Sequence, residues 1–192
     1  MTARRERILV FLRHADPVID PGVPPSEWRL SEEGRERARG VADRLRGFAP
    51  VRCYTSPEPK ARRTAELALE GSEAELVERT AFREHDRTGA AFFDDRTGFV
   101  QAIRDVFREP DRIVLGRESA SAALRRFSDG VRAACRESPG NLVFVTHGTV
   151  MALFLAEVLK RDPFELWLAL DFGALAAIAW PVPELVEWLP AG

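Results

Sequence analysis

Arg7-Ile8-Leu9-Val10-Phe11-Leu12-Arg13-His14 near one end of the chain and Asn141-Leu142-Val143-Phe144-Val145-Thr146-His147-Gly148 near the other decide how it folds. Each contains a short, unbroken apolar run with β-branched residues, and each leads to a histidine. Runs of this length and composition are strands buried on both faces, as in a parallel sheet. Ligands of such sheets bind just beyond the carboxyl ends of the strands. If the two strands are neighbours, His14 and His147 meet in one site although they lie far apart in sequence.

Outward from these runs, strands and helices alternate. The strand at 7–12 leads into a loop rich in Pro and Asp (16–25). Ser31 is placed to cap a helix whose first turn holds Glu32 and Glu33, where the helix dipole favours anions. Ala38, Val41, Ala42 and Leu45 keep the spacing of one buried helical face, and Gly47 closes it. A strand at 51–55 follows. Ser56-Pro57 then opens a helix in the cap-then-proline order, running to about Glu70. Residues 75–78 form a third short strand. The segment 85–117 carries a Gly/Asp-rich loop, a helix around 97–108 and a Pro110-Asp111 break, the composition of a lid or pocket wall. Leu124, Phe127, Val131 and Ala134 mark an amphipathic helix from Ser119 to about Ser138-Pro139-Gly140. After the strand at 142–146, residues 149–159 are apolar on every face and hence interior. A final strand at about 174–180 precedes a proline-punctuated tail. This order predicts an α/β fold, a three-layer α/β/α sandwich with a mainly parallel central sheet. It is expected to be a single domain over 1–192 with a small lid-like insertion at about 86–117.

Composition removes several classes of partner. A formal net charge of −2 gives no field that attracts nucleic acid or an anionic membrane. The Arg-rich faces at 35–46 and 125–136 read as solvated surface, since no long run of like charge occurs. Cys53 and Cys135 lie in apolar contexts without CxxC spacing, which suits buried thiols in a reducing cytosol. The apolar run after the charged lead is too short for a signal-peptide core and lacks a small-residue cleavage site. The stretch from Leu166 to Trp180 is too short to span a bilayer and holds Asp171 and Gly173. A soluble cytoplasmic protein is expected. Its oligomeric state stays open, because Trp28, Phe92, Phe93 and Trp188 suit lid, tail or interface alike.

The candidate chemistry gathers at one sheet edge. Arg13 offers five donors in a fork that matches phosphate or carboxylate. The segment Ser56–Ala65 opens a helix at the same edge, where free N–H groups and Lys60 make an anion site. Glu84-His85-Asp86 follows the third strand. A carboxylic acid there can protonate a leaving oxygen if burial or the anion raises its pKa. Alternation in an extended segment would put Glu84 and Asp86 on one side and His85 on the other. Glu118, beside Ser119, reads as a helix-start anion. HExxH, HxH and other clustered ligand spacings are absent, so no metal is expected. GxGxxG, GxxxxGK[ST] and GxSxG are also absent, which leaves no dinucleotide fingerprint, P-loop or hydrolase serine.

With these residues assembled, the chain resembles the histidine phosphatase superfamily of phosphoglycerate-mutase-like fold. The resemblance rests on Leu12-Arg13-His14-Ala15, Leu30-Ser31-Glu32-Glu33-Gly34, Thr55-Ser56-Pro57 with Lys60-Ala61 and Thr64-Ala65, then Glu84, and Val145-Thr146-His147-Gly148. It covers most of the chain, with 88–115 matching poorly. It implies that His14 attacks phosphorus, that Arg13, a second basic residue and His147 hold the phosphoryl oxygens, and that Glu84 is general acid and then base. Two positions depart from the family pattern: Ala15 replaces a glycine, and Lys60 replaces an arginine, which trades a bidentate fork for a point charge. Small residues at 15 and 148 would let backbone N–H groups approach the anion. Whether Lys60 or Arg62 completes the pocket, and whether Glu84 or Asp86 is the acid, stay open at this point.

The expected activity is hydrolysis of a small phosphorylated metabolite or phosphoprotein, with no cofactor and no metal, through a phosphohistidine. The alternatives are mutase-type transfer between phosphoglycerates and a non-catalytic phospho-ligand binder.

Overall fold

Arg7–Arg13 forms β1 and Leu142–Thr146 forms β4, and the two pair in parallel with Arg13 opposite Thr146. The computed structural model describes residues 6–93 and 95–190, so the charged lead of residues 1–5 lies outside it. Arg52–Thr55 (β2) pairs in parallel with β4, and Glu75–Glu78 (β3) with β2. Leu175–Trp180 (β5) runs antiparallel to β1, and Glu184–Leu189 (β6) antiparallel to β5. The sheet order is β3-β2-β4-β1-β5-β6.

Leu9 to Leu12 and Leu142 to Val145 are fully buried, so both sheet faces need cover. Val10, Leu12, Val143 and Val145 pack against Val41, Leu45, Ala61 and Ala65. These come from or adjoin Glu32–Gly40 (α1), Ala42–Gly47 (α2) and Pro59–Ala68 (α3). Alternate residues Leu9, Phe11, Leu142 and Phe144 face the other way. There they meet Arg96–Arg108 (α4), Ala120–Glu137 (α5), Gly148–Leu159 (α6) and Pro163–Ala169 (α7). The three-layer sandwich with a mainly parallel sheet is the observed fold.

Ser31 caps α1 as expected, its Oγ accepting from the Gly34 amide at 3.0 Å. The helix breaks at Val41 into α1 and α2, yet Ala38, Val41, Ala42 and Leu45 all stay buried. The third helix begins later than Ser56-Pro57. Glu58 is its N-cap residue and Pro59 its first turn, so the cap-then-proline order is used two residues downstream. That displacement reshapes the site.

Two elements escape the sequence pattern. Asp162-Pro163 opens α7, with Asp162 Oδ1 accepting from the amides of Phe164 and Glu165 at 2.9 Å. The supposed tail contains β6, because its prolines flank the strand rather than interrupt it. The apolar stretch 166–180 divides between α7, a turn with Gly173 at φ 82° and β5. Among the described residues no helix is long and apolar enough to cross a membrane.

Gly130 lets α5 lie close to the 3-10 turn Thr80–Phe82, since a Cβ there would stand 2.7 Å from the Ala81 Cβ. Thr146 Oγ1 donates to the Phe82 carbonyl at 2.9 Å, tying the same turn to the end of β4. Glu84 follows directly, so this clamp sets where its carboxylate reaches.

Candidate active site

The parallel register of β1 and β4 brings the two histidines together. Their ring centroids are 5.1 Å apart at an edge-on 65°, and Phe172 lies 5.3 Å from His14. His14 Nδ1 is 2.8 Å from the Ala15 carbonyl. A carbonyl only accepts, so Nδ1 carries the proton and Nε2 keeps its lone pair. Burial, then His147, Lys60 and Arg13, holds His14 well below its ordinary 6.5. His147, fully buried at the start of α6, is held well below it too, first by burial and then by Lys60. Both imidazoles are neutral at neutral pH.

Arg13 stacks on Phe172, its Cζ 4.3 Å from the ring centroid, and donates from Nη1 to the Leu170 carbonyl. Burial pulls its pKa down to about 10, which leaves it charged at neutral pH. Gly148 makes room for it: a Cβ there would come within 3.1 Å of the Arg13 Cζ. The small residue at 15 has a different use from the one expected. The Ala15 amide is spent on Thr64 Oγ1 at 3.0 Å and is not available to an anion.

Lys60 faces the site and Arg62 does not. Arg62 runs outward to Glu66 and Glu78, 3.1 Å from each. Lys60 is 5% exposed and lowers the proton affinity of both histidines. Its ammonium is already engaged, donating to the Pro25 carbonyl at 2.6 Å and to Glu58 Oε2 at 2.5 Å. The other Glu58 oxygen accepts from the Glu84 amide at 2.9 Å and lies 3.3 Å from His147 Nε2 without closing a hydrogen bond. Glu58 was missed in the sequence because the helix start was placed at Ser56. Recognising Glu58-Pro59 as the cap would have turned it toward this edge.

Glu84 does reach the site, and burial does not leave its pKa raised as the acid role would require. Its carboxylate caps α6, accepting from the amides of Thr149 and Val150 at 3.1 Å, with the His85 amide at 2.9 Å and Arg87 Nη2 at 3.3 Å. Burial pushes its pKa up. Arg87, His147 and the His85 and Thr149 amides outweigh burial and hold it well below the usual carboxylate range. The helix N-terminus that could have bound an anion is filled by this side chain. Asp86, the alternative acid, turns into its own loop, accepting from the Thr88 amide at 2.9 Å and lying 3.3 Å from Arg83. His85 is buried against the Glu118 carbonyl at 2.6 Å.

Arg87 is the second residue the sequence reading passed over. It donates to Thr149 Oγ1 at 2.7 Å and stacks over Phe99 at 5.0 Å. Arg126, expected on a solvated face, is instead the organiser of this wall. It donates to both Glu118 oxygens at 2.9 and 2.8 Å and to the carbonyls of Ala81, Arg83 and Glu84. Glu118 stands directly before the Ser119 cap of α5 and spends its carboxylate on Arg126 and the Asp86 amide. Neither outward position gave a pattern signal, because both depend on a bend after β3.

Among the described residues, the buried polar atoms without a hydrogen-bond partner include Arg13 Nε, Arg87 Nε and both ring nitrogens of His147. Buried donors are normally satisfied, so this grouping marks a place for an oxygen-rich anion. No group of three or more His, Cys, Asp or Glu side chains among the described residues is arranged to hold a metal.

Comparison with known proteins places the family and the fold. The profile of the histidine phosphatase superfamily (branch 1) matches residues 9–180. The uncharacterized phosphatase PhoE of Bacillus subtilis (strain 168) is 28% identical over 135 residues, 70% of this chain and 66% of that protein. The mycobacterial glucosyl-3-phosphoglycerate phosphatase shares the fold with a TM-score of 0.76 at 21% identity, covering 96% of this chain and 99% of that one. The phosphoserine phosphatase of Entamoeba histolytica does so with a TM-score of 0.73 at 16% identity, covering 95% and 96%. The chain belongs to the histidine phosphatase superfamily.

Proposed function

We propose that this protein is a metal-independent phosphomonoesterase that hydrolyses a small phosphate ester through a phosphohistidine on His14. The observation that carries this reading is the fixed tautomer of His14. Its Nδ1 proton is committed to the Ala15 carbonyl, so a neutral Nε2 lone pair stands beside unsatisfied donors of Arg13 and His147.

In this mechanism Nε2 attacks phosphorus and the bond from phosphorus to the ester oxygen breaks. Arg13, Lys60, Arg87 and His147 hold the non-bridging oxygens, which is the main help a protein gives to phosphoryl transfer. Glu84 gives a proton to the departing oxygen. It takes that proton from water as an arriving dianion draws Arg87 away and raises the carboxylate's proton affinity. Water then attacks the phosphohistidine, Glu84 accepts its proton, and inorganic phosphate leaves with His14 restored.

The segment 86–117 acts as a lid over this pocket. It carries Arg87, and α4 within it anchors to α7 through Phe99 on Trp167 and Arg104 on Phe164. The substrate is a phosphorylated metabolite or phosphoprotein side chain, with neither nucleic acid nor membrane as partner. The setting is cytoplasmic, in keeping with the composition, in which only two cysteines occur and without CxxC spacing.

The test is rapid quench with a phosphate-labelled ester. Wild type is expected to trap an acid-labile, base-stable adduct on His14, and His14→Ala to lose at least about a thousandfold in phosphate release. Label on another residue, or release that persists in His14→Ala, overturns the mechanism. Transfer between phosphoglycerates without release makes the protein a mutase.

A further inference from the structure

We infer that Glu58 sets the charge class of the substrate, favouring phosphate esters with a cationic group near the phosphoryl and rejecting those with a second anion. The inference rests on the phosphatase reading of the same pocket and names the substrate class within it. Glu58 is a resident carboxylate lodged among the groups assigned to phosphate. It holds Lys60 at 2.5 Å, receives the Glu84 amide at 2.9 Å and lies 3.3 Å from His147 Nε2, with its side chain 11% exposed.

The charge balance of the pocket decides the preference. Three cations face it, Arg13, Lys60 and Arg87, and two carboxylates, Glu58 and Glu84, while both imidazoles are neutral. The unliganded pocket therefore carries a single positive charge. A phosphoryl dianion reverses that to a single negative charge. Before Glu84 takes up the proton that it donates, an ammonium on the substrate restores neutrality, whereas a substrate carboxylate leaves two uncompensated negative charges in a buried space. Uncompensated charge in such surroundings is costly. Asp171, which also acts on Arg13, adds negative charge and pushes the same way, while Asp16 is paired with Arg37 at 3.1 Å.

Glu58 is the member of this set whose removal changes the class. Glu84 is held by two α6 amides and belongs to the proton chemistry, and the cations bind phosphate whatever else the substrate carries. Without the Glu58 charge, the Lys60 ammonium keeps only the Pro25 carbonyl as partner and the pocket admits a second anion.

Three two-carbon esters isolate the effect: 2-aminoethyl phosphate, ethyl phosphate and phosphoglycolate, which differ chiefly in the charge of the far end. Phosphate release gives kcat/KM for wild type and Glu58→Gln, and dividing variant by wild type cancels the intrinsic reactivity of each leaving group. The ratio of aminoethyl phosphate to phosphoglycolate is expected to shrink about tenfold in Glu58→Gln, mostly through a gain on phosphoglycolate. An equal loss on all three esters, with the ratio kept, assigns Glu58 a structural role and overturns the inference. Calorimetric titration of the three esters into His14→Ala reads the same preference without chemistry. Tighter binding of aminoethyl phosphate than of phosphoglycolate supports it, and equal or reversed affinities overturn it even if Glu58→Gln does not fold. Should wild type release no phosphate while the binding order holds, the phosphatase reading fails and the charge preference stands.

Discussion

On one wall of the pocket, Arg13, His14 and His147 stand where β1 and β4 end. On the other, Glu58, Lys60, Glu84 and Arg87 stand on α3 and on the loops that follow β2 and β3. The first wall is placed by sheet register, with Arg13 opposite Thr146, and a one-residue slip would turn every side chain to the opposite face. The second is placed by polar side chains: Arg126 gathers three carbonyls of the turn, Glu118 receives the Asp86 amide at 3.1 Å, and Glu84 plugs α6. The strand wall holds two neutral rings and one cation; the loop wall holds both carboxylates. In the proposed mechanism the nucleophile thus belongs to the wall placed by the sheet, and proton transfer and selectivity belong to the wall built from networks.

The division is tested most sharply at Glu84. Glu84→Gln is expected to lower kcat by about 10²–10⁴-fold on alkyl phosphates, the range of general acid catalysis. Aryl phosphates should slow much less, because an aryloxide leaves with little need of a proton. Equal slowing of both series would mean that the carboxylate serves only as the α6 cap, and the proton chemistry would have to be moved off the loop wall.

Arg126 tests the network directly. Arg126→Met strips three carbonyls of a donor and leaves Glu118 half-buried without its partner, for an expected loss of about 2–4 kcal/mol in urea unfolding. Part of that cost is the stranded Glu118 charge, so Glu118→Gln in the same background should recover some stability. Phosphate release should fall in kcat more than KM rises, since the displaced group is Glu84. A variant that unfolds no more easily than wild type would show that the loop wall is held by something other than Arg126.

The same division explains what the chain disclosed before its structure was known. The strand wall was legible because two buried strands and a cap at Ser31 are local patterns, and parallel pairing followed from them. Lys60 and Glu84 could be named from the resemblance, but their states could not. Glu84 could act as an acid only if burial or the anion raised its pKa; burial does not suffice, because the amides that lower it belong to α6, far along the chain, and meet it only through the fold. Glu58 was hidden by a two-residue error in a helix start, an ordinary uncertainty that here moves a carboxylate into the site. Arg126 looked like a surface arginine because its carbonyl partners become available only when the chain bends after β3. The strand β6 was lost to the flanking Pro181 and Pro183, and α7 to an apolar stretch at 166–180 read as a whole, although Asp162-Pro163 just before it caps a helix and the turn at Gly173 divides it.

Acid separates the two walls a third way. A histidine whose folded-state pKa is depressed binds fewer protons folded than unfolded once the pH drops below the unfolded value near 6.5. The stability it contributes is therefore complete above about 6.5 and is lost as pH falls toward the depressed value. The slope is up to about 1.4 kcal/mol per pH unit for each group. His14, His147 and His85, which burial also lowers, share this window. Glu84 follows the same sign from its ordinary 4.5, so its share is lost only below that pH. Urea midpoints measured from pH 8 downward should stay level to about 6.5 and then decline, and His14→Asn with His147→Asn should remove most of that decline, leaving the His85 part. The further drop below about 4.5 should survive the double variant and shrink with Glu84→Gln, leaving the share of Glu118, Glu66 and Asp86, whose partners also hold them low. If the double variant keeps the full slope between 6.5 and 5, the rings at the strand ends are not held neutral by burial, and the nucleophile loses the lone pair that the Ala15 carbonyl was taken to secure.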